Sequence, residues 1–185
     1  MLPVMLDLRD QLVLVVGSGT VATRKQGLLI AAGARARVVS LSPPPAKWPG
    51  EWLQEPFRAD HLIGCRLVFA AATPEVNRVV VAEARARGLW VNAASEPETG
   101  TMHFPAVLRQ GDFTIAVSTG GASPTFATVV RDRLAAQFDE SIGRFVDRLR
   151  EQRHAILNSD ADEATRRAKL EALATWEAYR TFIGS

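Results

Sequence analysis

The sequence predicts an α/β protein with a doubly wound parallel sheet, followed by a β-hairpin region and a helical region. Three observations lead to this fold class. An apolar run at residues 12–16 passes directly into a glycine-rich turn. Apolar runs then alternate with helix-forming segments as far as Pro97, as expected for parallel strands joined by crossover helices. Beyond Pro97 two short apolar runs follow each other closely, which indicates a hairpin.

The first strand and its turn read LVLVVGSGTVA at residues 12–22. Gly17 permits a tight turn, Gly19 lets a pyrophosphate approach the backbone, and Ala22 lets the helix pack closely on the strand. The helix N-terminus then faces the phosphates. Glycine-rich turns also occur without a ligand, but a strand before and a helix after this turn favour a Rossmann-like dinucleotide-binding unit.

The second strand is predicted at residues 36–41, after Gly33 ends the first helix. An acidic residue usually ends this strand and binds the ribose. Ser40, Leu41 and Ser42 stand there instead, so we expect hydroxyl and backbone contacts to the ribose. Charge therefore does not distinguish NAD from NADP. The two arginines at the strand's start, Arg35 and Arg37, are expected to be solvated.

The remaining elements of the sheet follow a proline-rich loop that begins at Ser42. Because ligands lie at the carboxyl ends of parallel strands, Thr73 and Asn77 are expected beside the cofactor. Thr73 could equally cap the following helix. The predicted elements are a strand at 53–57, a helical turn at 59–62, a strand at 66–72, a helix at 75–87 and a strand at 89–94.

The second half of the chain begins with a predicted hairpin, whose strands lie at 104–109 and 113–118. A glycine-rich turn at 118–124 leads into a helix, with Ser123 as N-cap and Pro124 in the first turn. That turn either binds an anion through its N–H groups and hydroxyls or merely caps the helix. From Asp139 onward, apolar residues at helical spacing predict two amphipathic helices that flank a polar break at 158–163.

Composition excludes several classes of protein. The net charge of +2 is too small to indicate nucleic-acid binding. Cys65 is the single cysteine and is expected in the core, and three scattered histidines give no zinc-ligand spacing, so no metal site is predicted. No signal peptide is apparent, and no apolar run reaches the roughly 18 residues of a spanning helix. We therefore expect a cytoplasmic protein without nucleic-acid or membrane partners.

Four segments resemble the precorrin-2 dehydrogenase family, which includes the N-terminal module of siroheme synthase. They are LDLRDQLVLVVGSGTVATRK at 6–25, AATPEVN at 71–77, GLWVN at 88–92 and HFPAVLRQGDFTIAVSTGGASP at 103–124. The resemblance runs in order over about the first 138 residues. The STGGASP block after a hairpin is far more specific than the glycine turn.

The resemblance implies an oxidoreductase that converts precorrin-2 to sirohydrochlorin with NAD in siroheme biosynthesis. It also implies a homodimer joined through the hairpin. The resemblance implies cofactor contacts on the glycine turn and at the end of the second strand, at Gly17, Gly19, Thr20, Val21, Leu41 and Ser42. The turn and the strand ends add Ser18, Ser40 and Thr73 to the predicted cofactor site. The implied tetrapyrrole contacts are Asn92, Arg109, Ser118, Thr119, Gly120, Gly121 and Ser123. Arg109 is equally well explained as an exposed hairpin residue.

The chain departs from the family where proton transfer is concerned. Many members have an aspartate three residues after the strand asparagine, and that position, counted from Asn92, is Ser95. A serine hydroxyl is a poor general base unless another group activates it. Glu96 and His103 are the alternatives nearby, and His103 is the better-tuned base near neutral pH. Without the aspartate, strong chelatase activity is not expected.

Two other functions remain open from the sequence. A non-enzymatic NAD-sensing dimer would use the same nucleotide-binding unit, although it would need neither the STGGASP block nor His103. A bifunctional dehydrogenase and ferrochelatase is the second alternative. The expected domains are an NAD-binding domain at 1–97, a dimerisation and substrate region at 98–138, and a helical domain at 139–185.

Overall fold

The computed structural model describes residues 1–184, which divide into two compact units. The first, the sheet unit, is Met1–Phe104, and the second, the hairpin unit, begins at Pro105. The finer three-part division expected from the sequence, with boundaries at residues 97 and 138, stays a prediction. No helix in the described part of the chain is both long and apolar enough to cross a bilayer.

The sheet unit contains a five-stranded, entirely parallel sheet in the order β3-β2-β1-β4-β5. The order reverses at β1, which creates the crevice where ligands bind in open α/β sheets. The predicted doubly wound α/β fold is confirmed. The strands are β1 (Leu12–Val16), β2 (Arg35–Val39), β3 (Glu51–Leu53), β4 (Leu67–Ala70) and β5 (Trp90–Ala93), and the helices are α1 (Thr20–Ala31) and α2 (Pro74–Ala86).

Helices cover both faces of the sheet, so its central strands β1 and β4 are buried. On one face, Ala22 and Leu29 of α1 pack among side chains of β1, β2 and β4 that include Phe69. On the other face, Val80 and Ala84 of α2 pack against β4 and β5. Two-sided burial explains why these strands read as continuous apolar runs. Cys65 lies in the second of these cores, as predicted, and burial raises the pKa of its thiol.

One predicted strand is wrong: the strand expected at 53–57 lies instead at Glu51–Leu53, where it pairs with Arg37–Val39 of β2. Gly50 fixes this register, because an added Cβ there would lie 2.3 Å from the Ala36 carbonyl oxygen. Phe57, predicted to end the strand, packs against the core from a loop. The other predicted strands of the sheet are present but ran up to two residues too far.

The hairpin unit opens with two antiparallel strands, β6 (Ala106–Gln110) and β7 (Phe113–Val117), as predicted. Gly111, with a φ of 58°, and Asp112 form the turn between them. Helix α3 (Pro124–Ala135) follows, and the Ser123 hydroxyl oxygen accepts a hydrogen bond from the Phe126 amide at 3.1 Å. Ser123 is therefore the N-cap that the sequence predicted.

The C-terminal part contains three helices, so the prediction of two is wrong. They are α4 (Glu140–Leu157), α5 (Glu163–Leu173) and α6 (Trp176–Gly184). The apolar spacing continues past Leu173, but the chain leaves the helix there, and the Thr175 hydroxyl oxygen accepts a hydrogen bond from the Ala178 amide at the start of α6. The break lets Tyr179 pack on Phe145 of α4, and its hydroxyl lies 2.8 Å from that of Ser141.

Candidate functional site

The turn after β1 passes so close to the end of β4 that only glycine fits at its first position. Gly17 has a φ of 112°, and an added Cβ would lie 2.3 Å from the Ala71 carbonyl oxygen. The Gly17 amide donates a hydrogen bond to the Val39 carbonyl oxygen at 2.8 Å. The turn is thus fastened between β2 and β4, and α1 begins at the crevice where the strand order reverses.

The first turn of α1 lacks the side-chain cap found on the other helices. Gly19 is its N-cap, no acidic residue lies in its first turn, and an added Cβ at Gly19 would meet nothing in the described chain within 4 Å. By contrast, the next four helices are capped by the side chains of Thr73, Ser123, Asp139 and Asp162. Unpaired N–H groups at a positive helix terminus, facing open space, fit the phosphates of a dinucleotide.

Three serines meet where β2 ends. The Ser40 hydroxyl donates to the Ser18 hydroxyl oxygen at 2.7 Å, and the Ser40 oxygen accepts from the Ser42 amide at 3.1 Å. Leu41, between them, is 73% exposed. This arrangement brings four of the predicted cofactor residues to one place and supplies the hydroxyl and backbone groups expected for a ribose.

The arginines of β2 are accounted for by the structure. Arg37 forms an ion pair with Glu51 at 2.6 Å, and it also donates to the carbonyl oxygens of His61 and Ile63. Arg35 is exposed at the start of β2, at the opposite end from the serines. Arg37 is thus bound between protein groups rather than solvated as expected.

The ends of β4 and β5 are tied together by Asn77, which is 2% exposed. Its side-chain oxygen accepts from the Ala72 amide at 2.8 Å, and its nitrogen donates to the Ala72 carbonyl oxygen and, at 3.0 Å, to the Ser95 hydroxyl oxygen. Thr73 caps α2 by accepting from the Val76 amide at 3.5 Å. The capping role of Thr73 is confirmed, while its contact with a cofactor stays a prediction.

The three candidate proton acceptors differ in their hydrogen-bond and ion-pair partners. Ser95 already accepts a hydrogen bond from Asn77, and the Glu96 carboxylate forms an ion pair with Arg78 at 2.6 Å. The half-buried imidazole of His103 has no hydrogen-bond partner among the described residues. His103 follows Met102, whose carbonyl oxygen accepts from the Asn92 side chain at 3.1 Å. His103 is therefore the candidate whose ring nitrogens are available.

In the hairpin unit, the serine-glycine block at residues 118–123 is a loop with hydrogen bonds between its own residues. The hydroxyl oxygens of Ser118 and Thr119 accept from the amides of Gly120 and Ser123. Gly120 and Gly121 have φ values of 64° and 94°, and the Gly121 amide alone among residues 120–123 has no acceptor in the described chain. The amides of Ser118 and Thr119 also have no acceptor among the described residues, so the loop offers three free amides and the hydrogens of its hydroxyls. Arg109 is exposed on β6.

Sequence reasoning missed Lys25, which is only 8% exposed although it lies on a helix. Burial lowers its pKa to about 8, and the neighbouring charge of Arg24 adds to the effect. The spacing contained a signal, because Ala22, Lys25 and Leu29 lie on one face of α1 and both flanking positions are apolar. No cluster of histidine, cysteine and acidic side chains that could hold a metal occurs in the described part of the chain.

Two family models match the chain. The model described as putative NAD(P)-binding matches residues 4–106, and that of the sirohaem biosynthesis protein central domain matches residues 110–137. The boundary between the two matches falls close to the boundary between the two structural units.

The sequence is similar to several siroheme synthases. It is 36% identical over 169 residues to siroheme synthase 2 of Aeromonas salmonicida, which covers 87% of this chain and 35% of that protein. It is 39% identical over 162 residues to siroheme synthase of Methylobacillus flagellatus, which covers 84% of this chain and 35% of that protein. The chain thus spans about a third of the length of these curated relatives.

A solved structure resembles the whole described fold. "SirC, precorrin-2 dehydrogenase" superposes with a TM-score of 0.82 and 27% sequence identity, and the match covers 100% of this chain and 98% of that one. The likeness therefore extends over the sheet, the hairpin and the C-terminal helices.

Proposed function

Because the chain belongs to the putative NAD(P)-binding family, we propose that it is an NAD-dependent precorrin-2 dehydrogenase, which oxidises precorrin-2 to sirohydrochlorin in siroheme biosynthesis. The observation that carries the proposal is the likeness to a precorrin-2 dehydrogenase over the full length of both chains. A dimeric sensor that only bound NAD would use the sheet unit and the hairpin, but it would need neither the STGGASP block at residues 118–124 nor His103.

The sheet unit supplies the cofactor site. When bound there, NAD would supply the hydride acceptor, which is the cofactor's own chemistry. The N–H groups of Thr20 and Val21, at the uncapped start of α1, hold its pyrophosphate. Ser18, Ser40 and Ser42 hydrogen-bond the adenine ribose through hydroxyls and backbone, and exposed Leu41 packs against the nucleotide.

His103 accepts the proton that substrate loses with the hydride. Its ring nitrogens are free to receive a proton, whereas Arg78 occupies the Glu96 carboxylate and Asn77 donates to Ser95. An imidazole must be neutral to act in this way. The oxidation removes one hydride and one proton, so these two groups complete the step.

The substrate carries several carboxylates, and it therefore needs hydrogen-bond donors and a cation. In the hairpin unit, the Gly121 amide, the hydroxyls of Ser118 and Thr119, and the exposed guanidinium of Arg109 supply such groups. The remaining proposed substrate contacts are Gly120 and Ser123, in the loop before α3, and Asn92, on β5 of the sheet unit. Iron or cobalt insertion is not part of the proposal.

The test is an anaerobic incubation of the protein with precorrin-2 and NAD. We expect the absorption spectrum of sirohydrochlorin to appear together with stoichiometric NADH. A parallel incubation without nucleotide controls for spontaneous oxidation, and one with NADP measures cofactor preference. A third arm adds Fe²⁺ or Co²⁺ to sirohydrochlorin to measure chelation. Tight NAD binding without any oxidation of precorrin-2 would overturn the proposal in favour of an NAD sensor.

The proposal includes a cytoplasmic homodimer joined through residues 104–134. A two-stranded hairpin is marginally stable alone, and apolar side chains on it and on α3 remain exposed: Val107 at 39%, Phe126 at 59% and Val129 at 55%. We expect light scattering at micromolar concentration to give twice the 20.1 kDa mass of the chain. The change Val129→Glu should produce monomers, whereas Val79→Glu on α2, equally exposed at 54%, should leave the dimer intact. A monomeric unaltered protein would contradict this part.

A further inference from the structure

Lys25 is an unusual residue for the interior of the sheet unit. Its side chain is more than nine-tenths buried, and it forms no ion pair in the part of the chain that the structure describes. Its ammonium nitrogen lies 3.9 Å from the centroid of the Phe104 ring and 5.8 Å from that of Phe69. A buried cation without an acidic partner costs stability, and such costs are characteristic of residues kept for function.

The Phe104 ring belongs to a short segment that is fastened along its length. The amides of Thr101 and Met102 both donate to the Val91 carbonyl oxygen, at 2.8 and 3.2 Å. Asn92 donates to the Met102 carbonyl oxygen, and the Phe104 ring packs on Phe69 at 5.0 Å between centroids. His103 is therefore bracketed by one anchored residue on each side.

We propose that Lys25 is a positioning residue, whose ammonium holds the face of Phe104 and thereby fixes the backbone that carries His103. The inference rests on the proposed function in that His103 accepts the proton. A cation is attracted to the negative face of an aromatic ring, more strongly when both are partly desolvated. An apolar side chain of the same length would fill the space without this directional contact.

The contact depends on pH, because only the protonated amine makes it. Burial lowers the pKa of Lys25 to about 8, so the ammonium predominates below that pH and is lost as the pH rises through it. The charged neighbour that acts on the Lys25 ammonium is Arg24, on the same helix, and the titratable His103 is next to Phe104 in the chain. The packed strand β4 contributes Phe69, which does not titrate.

The structural test observes His103 directly in the protein without substrate. The chain has only three histidines, so their Cε1–H resonances can be assigned by substitution. In Lys25→Met we expect the His103 resonance to shift and broaden, while those of His61 and His154 stay in place. Lys25→Arg keeps a cation and should resemble the unaltered protein, as should Lys47→Met, which changes an exposed lysine. Melting at pH 7 should find Lys25→Met folded, because methionine removes the buried charge.

The kinetic test uses the pH profile. For the unaltered enzyme, kcat should fall as the pH rises through about 8, whereas Lys25→Arg should keep its rate in that range. Lys25→Met should have a kcat lower by at least about tenfold at pH 7, with unchanged affinity for NAD. An unmoved His103 resonance in Lys25→Met, or an alkaline fall that persists in Lys25→Arg, would overturn the inference. If the resonance moves but no form of the protein oxidises precorrin-2, the proposed function fails and the positioning role of Lys25 stands.

Discussion

Gly19→Asp is expected to weaken NAD binding at least about 100-fold while leaving the fold intact. A unit charge about 4 Å from a phosphate contributes roughly 4 kcal/mol of repulsion near a protein surface. Aspartate is also a better N-cap than glycine, so α1 loses nothing. Because an added Cβ at Gly19 meets nothing in the described chain within 4 Å, the new side chain fits without strain. Calorimetry with NAD measures the binding, and circular dichroism checks the fold.

The matched control is Gly19→Asn, which has nearly the same size and also caps helices well, but carries no charge. It should reduce NAD affinity far less than aspartate does. Equal losses in the two variants would mean that the side chain blocks the site by its volume. Unchanged affinity in Gly19→Asp would place the cofactor elsewhere and remove the basis of the proposed nucleotide site.

The fold of the sheet unit was predictable because its strands are buried on both faces and its turns need particular residues. Apolar runs located β1 and β4, and Gly17 has the positive φ that its place between β2 and β4 demands and that glycine adopts without strain. Strand β3 was misplaced because the apolar residues Leu53 and Phe57 bound the predicted segment, whereas the register is decided by pairing with β2, which the local sequence does not show. The break before α6 was missed because apolar spacing continues across it.

The features of the candidate site that depend on residues close together in the sequence were predictable. Contacts between residues far apart in the sequence were not. The uncapped start of α1 follows from Gly19 itself, and the N-cap at Ser123 follows from the proline after it. The hydrogen bond from Asn77 to Ser95 joins residues on different elements, as does the contact of Lys25 with Phe104. Such pairs depend on the strand order, which local sequence patterns do not specify.

His103→Ala is expected to lower the rate of NADH formation from precorrin-2 by about 100-fold or more, which is typical for loss of a general base. NAD affinity should not change, because the proposed contacts of the nucleotide lie on α1 and at the end of β2. Anaerobic steady-state kinetics measure the rate, and added imidazole should restore part of it by taking the place of the missing ring.

The neighbouring candidates provide the comparison that makes this result specific. Ser95→Ala should be mild, because the Ser95 hydroxyl accepts its hydrogen bond from Asn77 and is not activated as a base by that amide. Glu96→Gln should also be mild, since it removes a carboxylate that is already paired with Arg78. Ser95→Asp returns a carboxylate to the end of β5, and it should raise the rate or introduce some metal insertion. If His103→Ala and Glu96→Gln both keep nearly full activity, no side chain in this stretch is the base, and the released proton passes to water while the protein contributes only the positioning of substrate and cofactor.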